Sequence, residues 1–212
     1  MPRLRRSASR PSSLHRRGAG PRLLLLGKSG AYVGSWSDDR RDYRIPGTGA
    51  DVWIVSTPAR AIDKARYAEI IFPAGDNVTR YFGAVDDAYV QAGKIQQFGP
   101  DPYGNRDPLL CAVQGPGGYM AYDSYQGGAV GTCPQFNVGE VLGVLAVPIK
   151  GANGTIVGSR ITLSVNGVAG QASDTPILNA RLMAACRAEG HVLLNCGQKP
   201  FAYLPANANQ WG

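Results

Sequence analysis

The segment from Gly139 to Pro205 limits what this chain can fold into more than any other. Residues Arg160 to Asn166 read RITLSVN, with Ile161, Leu163 and Val165 pointing one way and Arg160, Thr162 and Ser164 the other. A period of two is that of a half-buried strand. The Asn166-Gly167 pair behind it tolerates the positive φ angles of a tight turn, so the chain is expected to fold back there. Val141 to Val147 is apolar on both faces, as a strand inside a sandwich must be. Arg181 to Cys186 and His191 to Cys196 are two more strand-like runs, and the short Arg187-Ala188-Glu189-Gly190 connection predicts that they pair as a hairpin. The whole segment reads as an antiparallel meander.

The rest of the chain agrees with an all-β protein. Its 212 residues suffice for one domain with an appendage and a real core. The 28 glycines and 15 prolines, set among many short apolar runs, favour strands over helices. Further strands are expected at Asp51–Ser56, Arg66–Phe72, Thr79–Val85, Leu109–Val113 and Tyr119–Asp123, with turns at Pro46-Gly47, Pro73–Asn77 and Gly115–Gly118. Ala61 to Ala65 reads as a single helical turn. Asp86 to Pro108 reads as a long exposed loop, Ile149 to Ser159 as a hairpin loop, and the polar stretch Ala31 to Gly49 as solvated. No window of 18 apolar residues is present, so no membrane span is read. Leu23 to Leu26 is too short for a signal-peptide core, and synthesis in a cytoplasm is the simplest expectation.

Charge divides the chain. The net charge is +7, yet residues 1–28 hold eight of the 22 basic groups and none of the 15 acidic ones, leaving 14 basic against 15 acidic elsewhere. The expected organisation is therefore a basic extended arm at 1–30, a linker at 31–50, a near-neutral β domain at 51–205 and a tail at 206–212. Arm residues Arg3, Arg5, Arg6, Arg10, Arg16, Arg17 and Arg22 are the candidate anchor. Three readings fit a segment of this composition: a solvated tail, an arm that orders against an acidic partner with Leu23 to Leu26 as an apolar plug, or a contact to nucleic-acid phosphates. The arm carries no aromatic side chain for base stacking, which disfavours the nucleic-acid reading. In the tail, Trp211 is either a plug against the domain or a partner contact.

The residue types that carry chemistry are scattered. Gly27-Lys28-Ser29 imitates the end of a phosphate-binding loop, but the glycine that loop requires five residues before Gly27 is replaced by Arg22, so no amide cradle is expected. Cys111, Cys133, Cys186 and Cys196 form no C-x-x-C pair, and small buried thiols are expected. The two histidines, His15 and His191, lie far apart in sequence. Glu69 and Glu140 are lone carboxylates on different strands, without the alternating acidic run of a glycosidase. Asp101, Asn105 and Asp107 lack the spacing of a calcium loop. Neither catalysis nor a metal or other cofactor is expected.

The order of the strands carries a resemblance. Gly-Glu-Val-Leu-Gly-Val at 139–144, Val-Asn-Gly-Val at 165–168, the Ala-Cys strand ending at Cys186, a short Gly turn, and Val-Leu-Leu-Asn-Cys-Gly-Gln-Lys-Pro-Phe-Ala-Tyr at 192–203 resemble the C-terminal half of a SPRY (B30.2-like) domain. The version found in bacteriophage structural proteins is the most similar. Lys64 to Ile70 and Tyr81 to Val85 sit where that family has two earlier strands, so the resemblance spans about Asp51 to Pro205. It implies a concanavalin-like antiparallel β-sandwich that binds through loops at one edge, with Phe98, Tyr103, Asn105, Arg106, Tyr122 and Tyr125 as the candidate patch. It further implies a virion protein, a capsid decoration, fibre or tail-associated subunit that joins other virion proteins through its arm and forms a homo-oligomer or lattice component. Alternatives are a module for a host surface receptor or glycan and an intracellular adaptor that reads a peptide.

Overall fold

In the computed structural model of the chain, the described residues are 22–28, 35–36, 42–45, 51–57, 59–73, 80–91, 109–114, 120–123, 128–187 and 190–212. The first part of the chain supplies β1 (Arg22–Lys28), β2 (Ser35–Trp36), β3 (Asp42–Ile45), β4 (Asp51–Thr57), β5 (Arg60–Ala61), β6 (Arg66–Ile71) and β7 (Arg80–Asp86). Helix α1 (Asp87–Gln91) precedes β8 (Leu109–Gln114), β9 (Met120–Asp123) and β10 (Gly128–Thr132). Then come β11 (Val141–Lys150), β12 (Ile156–Val165), β13 (Val168–Ala169), β14 (Ser173–Thr175), β15 (Asn179–Arg187), β16 (Gly190–Asn195) and β17 (Asn209–Gln210).

Two sheets result. The first runs β1-β4-β15-β7-β8-β9-β10, with β5 beside β15; the second runs β13-β12-β11-β6-β16-β3-β2, with β14 beside β12 and β17 beside β6. Neighbours are antiparallel except for β17, which runs parallel to β6. Period-two alternation sends Ile54, Phe82, Ala84, Leu182 and Ala184 inward from the first sheet, and Ile70, Leu142, Val144, Ile161, Leu163, Val192 and Leu194 inward from the second. Burying each large aliphatic or aromatic side chain contributes about 1.5–3 kcal/mol. Phe136 closes one part of this core, edge-on to Phe82 with ring centroids 5.2 Å apart.

The turn expected at Asn166-Gly167 forms, with φ of 48° and 81°. Asn166 also ties the turn to β11: its Oδ1 accepts from the Val141 N–H at 3.0 Å and its Nδ2 donates to Glu140 at 3.0 Å. The loop expected at Ile149 to Ser159 is mostly strand, because β11 and β12 stay paired out to Lys150 and Ile156. Asn153 makes the tip compact by accepting from the Thr155 N–H at 3.1 Å and from the Thr155 hydroxyl.

Several other expectations are corrected. The two runs read as a hairpin, β15 and β16, lie in opposite sheets: β15 sits between β4 and β7, β16 between β6 and β3. Both present aliphatic side chains to the same core, so the link between them steps from layer to layer instead of turning back within one. Ala61 to Ala65 is a bend and not a helical turn, held by the Ile62 N–H donating to Leu178 O at 2.8 Å. The helix lies in the segment read as loop: Asp86 Oδ1 accepts from the Ala88 N–H at 2.8 Å and starts α1. Arg181 fixes α1 on the outer face of the first sheet, with Nε 2.6 Å from Asp87 Oδ1 and Nη1 3.1 Å from Ser56 O. The polar stretch before residue 50 contributes β2 and β3 to the second sheet, and Leu23 to Leu26 lie in β1, paired along β4. Trp211 is a plug: it is fully buried in the core, and its backbone N–H donates to Tyr67 O at 3.0 Å.

Candidate functional site

The outer face of the second sheet carries a cleft whose floor follows from strand register. Asp42 of β3, Leu193 of β16, Ile71 of β6 and Val141 of β11 stand side by side in one row across four strands. Two residues along, Asn195, Glu69, Gly143 and Ser164 form a second row. Residues 197–205 leave the end of β16, cross this second row as a flap, and return through β17 beside β6. The flap roofs the polar row and leaves the aliphatic row open.

Under the flap lies a buried polar cluster. Glu69 is 2% exposed. Its Oε1 accepts from the Tyr203 N–H at 2.9 Å and the Tyr67 hydroxyl at 3.5 Å, and its Oε2 accepts from Asn195 Nδ2 at 3.4 Å. Such donors offset the cost of withdrawing a carboxylate from water. Asn195 orders the flap as well, its Oδ1 accepting from the Gly197 N–H at 3.1 Å and the Lys199 N–H at 3.3 Å. Phe201 stands edge-on to Tyr67 at 5.2 Å between centroids. Burial, and then the neighbouring Glu69 carboxylate, push the Tyr67 phenol far above the ordinary tyrosine range, so it stays a donor. Gly143 makes room for it: a Cβ there would stand 2.6 Å from the phenol oxygen and closer still to Ser164 Oγ.

The open part of the cleft is about 520 Å³, lined by Ile71, Val141 and Leu193 below and by Gln198, Lys199 and Pro200 of the flap along one side. Asp42 closes one end, paired there with His191 Nε2. The arrangement offers an aliphatic trough with a carboxylate at its end. Glu69 has its oxygens engaged by Tyr67, Asn195 and the Tyr203 N–H. Among the described residues, no three His, Cys, Asp or Glu converge to hold a metal. Cys133 and Cys196 are buried thiols, and burial pushes the Cys133 thiol up to about 12.

Phe98, Tyr103, Asn105, Arg106 and Tyr125 lie outside the described residues, as do Asp101 and Asp107. Tyr122 is in β9, its backbone opposite Cys111 and Ala129, and its side chain is outside the described set. Of the arm, Arg3, Arg5, Arg6, Arg10, Arg16 and Arg17 lie outside the described residues, while Arg22 opens β1 opposite Thr57. The cleft itself went unread. Its one sequence signal was Glu69, a carboxylate in mid-strand with apolar residues on both sides.

Comparison with known proteins identifies the architecture. No protein-family profile matches the chain, and no curated protein matches it. A human SPRY domain superposes with a TM-score of 0.55 at 12% identity, covering 81% of this chain and 100% of the other. The fold is a SPRY-like β-sandwich. The carbohydrate recognition domain of Emp46p, in its metal-free form, superposes at 0.49 with 10% identity, over 82% of this chain and 87% of that one. A Bacillus subtilis protein of unknown function with a galectin-like fold superposes at 0.46 with 11% identity, over 83% and 86%. Within the SPRY-like sandwich the cleft lies on the outer face of the second sheet.

Proposed function

We propose that this chain is a non-enzymatic binding module of a bacteriophage-like virion, in which the SPRY-like sandwich is displayed and the basic N-terminal arm anchors it to other virion proteins. One observation carries the reading: cationic charge is concentrated ahead of a domain that is otherwise near neutral. A solvated β-domain gains nothing in stability from such an arm, whereas an assembly gains an electrostatic tether whose partner is an acidic surface. The similarity of the C-terminal strands to the phage type of SPRY domain supports the same setting. The outer-face cleft, with its carboxylates engaged in structure, supports recognition over catalysis.

The test is a deletion of residues 1–21, which removes six arginines and spares β1. In particles assembled from the truncated protein, incorporation is expected to fall at least ten-fold while circular dichroism still shows a folded sandwich. Incorporation at the full-length level would remove the anchor.

A further inference from the structure

We infer that residues 197–208 form a lid, hinged at Gly197 and Asn207 and latched by Glu69, that opens and closes over the polar row of the second sheet. The inference does not depend on the anchoring role proposed for the arm. The segment is firmly attached only at its ends. The Gly212 N–H donates to Cys196 O at 3.1 Å, which ties one end to the other. Behind the segment, the Asn209 N–H donates to Ala65 O at 2.9 Å, the Trp211 N–H donates to Tyr67 O at 3.0 Å, and the Trp211 side chain is fully buried. Between these points the chain is an Ω-loop, a compact excursion whose ends lie close together. No residue from Gly197 to Gln210 is buried, and Tyr203 and Leu204 are 41% and 49% exposed. Lifting the segment therefore uncovers little apolar surface, the quantity that makes local opening costly.

What holds the middle of the segment down is mainly polar. Among the described residues, no backbone bond joins residues 198–204 to the sheet. Glu69 holds the Tyr203 N–H, and Asn195 holds the Gly197 N–H, the Lys199 N–H and Pro200 O. Beside them the Phe201 ring makes its single edge-on contact with Tyr67. Glu69 is 2% exposed and takes neutral donors only, with no cation paired to it among the described residues. A buried carboxylate without a cation regains its hydration when its cover lifts, which brings the open state near the closed one in free energy. The backbone marks the hinges. Gly197 has a φ of 108° and Asn207 a φ of 65°, and Asn207 is one of two non-glycine residues with positive φ among those described. Residues at the ends of elements absorb the dihedral change of a moving segment. With the lid raised, Glu69, Asn195 and the Tyr67 hydroxyl join the aliphatic row of Leu193, Ile71 and Val141, and the trough becomes a wider groove, apolar along one side and polar along the other.

The experiment is native-state hydrogen exchange on the full-length chain, read amide by amide by NMR and corrected for intrinsic rates. The Lys199 and Tyr203 amides are expected to exchange with equal protection, at least about 100-fold faster than those of Asn209 and Trp211, which report the anchored end. Lys199 and Tyr203 donate to different acceptors, so equal protection means that the segment lifts as one body. Asn195→Ala removes the amide that steadies Glu69, and should speed Tyr203 about ten-fold with Trp211 unchanged. Asn207→Ala loses the tolerance of asparagine for positive φ, so it penalises the closed lid alone and should speed Tyr203 about five-fold, again with Trp211 unchanged. Tyr203 protected as strongly as Trp211 in the unaltered chain would overturn the lid, because the segment would then open only when the whole sandwich unfolds. Protection of Lys199 and Tyr203 that differs by more than about ten-fold would do the same, since the segment would then fray instead of moving as a body. If Asn207→Ala quickens Tyr203 and Trp211 by the same factor, the hinge at Asn207 is overturned.

Discussion

Tyr67 shows how one side chain links the sheet, the flap and the cleft. Its phenol crosses Gly143, meets Ser164 and donates to Glu69, and its ring supports Phe201. Tyr67→Phe keeps the ring and removes the donor, so at neutral pH it should cost about 1–2 kcal/mol in urea unfolding. The pH dependence fixes the mechanism. The folded phenol titrates above the unfolded one, so its contribution is complete below the unfolded value near 10 and is lost as pH rises beyond it. The wild type should therefore lose stability above pH 10 by up to about 1.4 kcal/mol per unit from this group, and the variant should lack that component. A gap between the two proteins that stays constant from pH 7 to pH 11 would contradict a buried, neutral phenol. None of this was legible in Tyr67 or Glu69 alone. Alternation placed both on one face of β6, but their partners Asn195 and Tyr203 come from more than a hundred residues away, and periodicity says nothing about distant partners.

At the scale of elements, the sequence specified strands better than it specified neighbours. β4, β6, β7, β8, β9, β11, β12, β15 and β16 were all legible from alternation and turn residues. The pairing of β15 with β16 was misread because a four-residue link serves equally for a turn within a sheet and for a step between sheets. Short strands such as β3 and β17 carry too few residues for a period to show. The C-terminal return is the clearest case. After the flap, β17 takes the place beside β6 that β16 has vacated, and Trp211 enters the core while the Gly212 N–H donates to Cys196 O at 3.1 Å. The flap is thus held at both ends, by Asn195 and by Trp211. Trp211→Ala should cost about 3–5 kcal/mol in global stability, the usual loss for a buried aromatic. It should also free residues 197–205, read as faster amide exchange at Tyr203. A loss below 1 kcal/mol would show that the tail does not clamp the flap.

For the whole molecule, the division of charge predicts where any affinity for nucleic acid resides. Six arginines and no acidic residue lie in residues 1–21, while the chain beyond them is close to balanced. Phosphate contacts release counterions, and each contributes about 0.9 to the slope of log affinity against log salt on duplex DNA. If the arm alone meets the backbone, the slope on a short duplex is at most about 5 in magnitude and the same for unrelated sequences. Deleting residues 1–21 should reduce that binding to background at physiological salt. A steeper slope, or binding that survives the deletion, would require a basic surface on the sandwich itself.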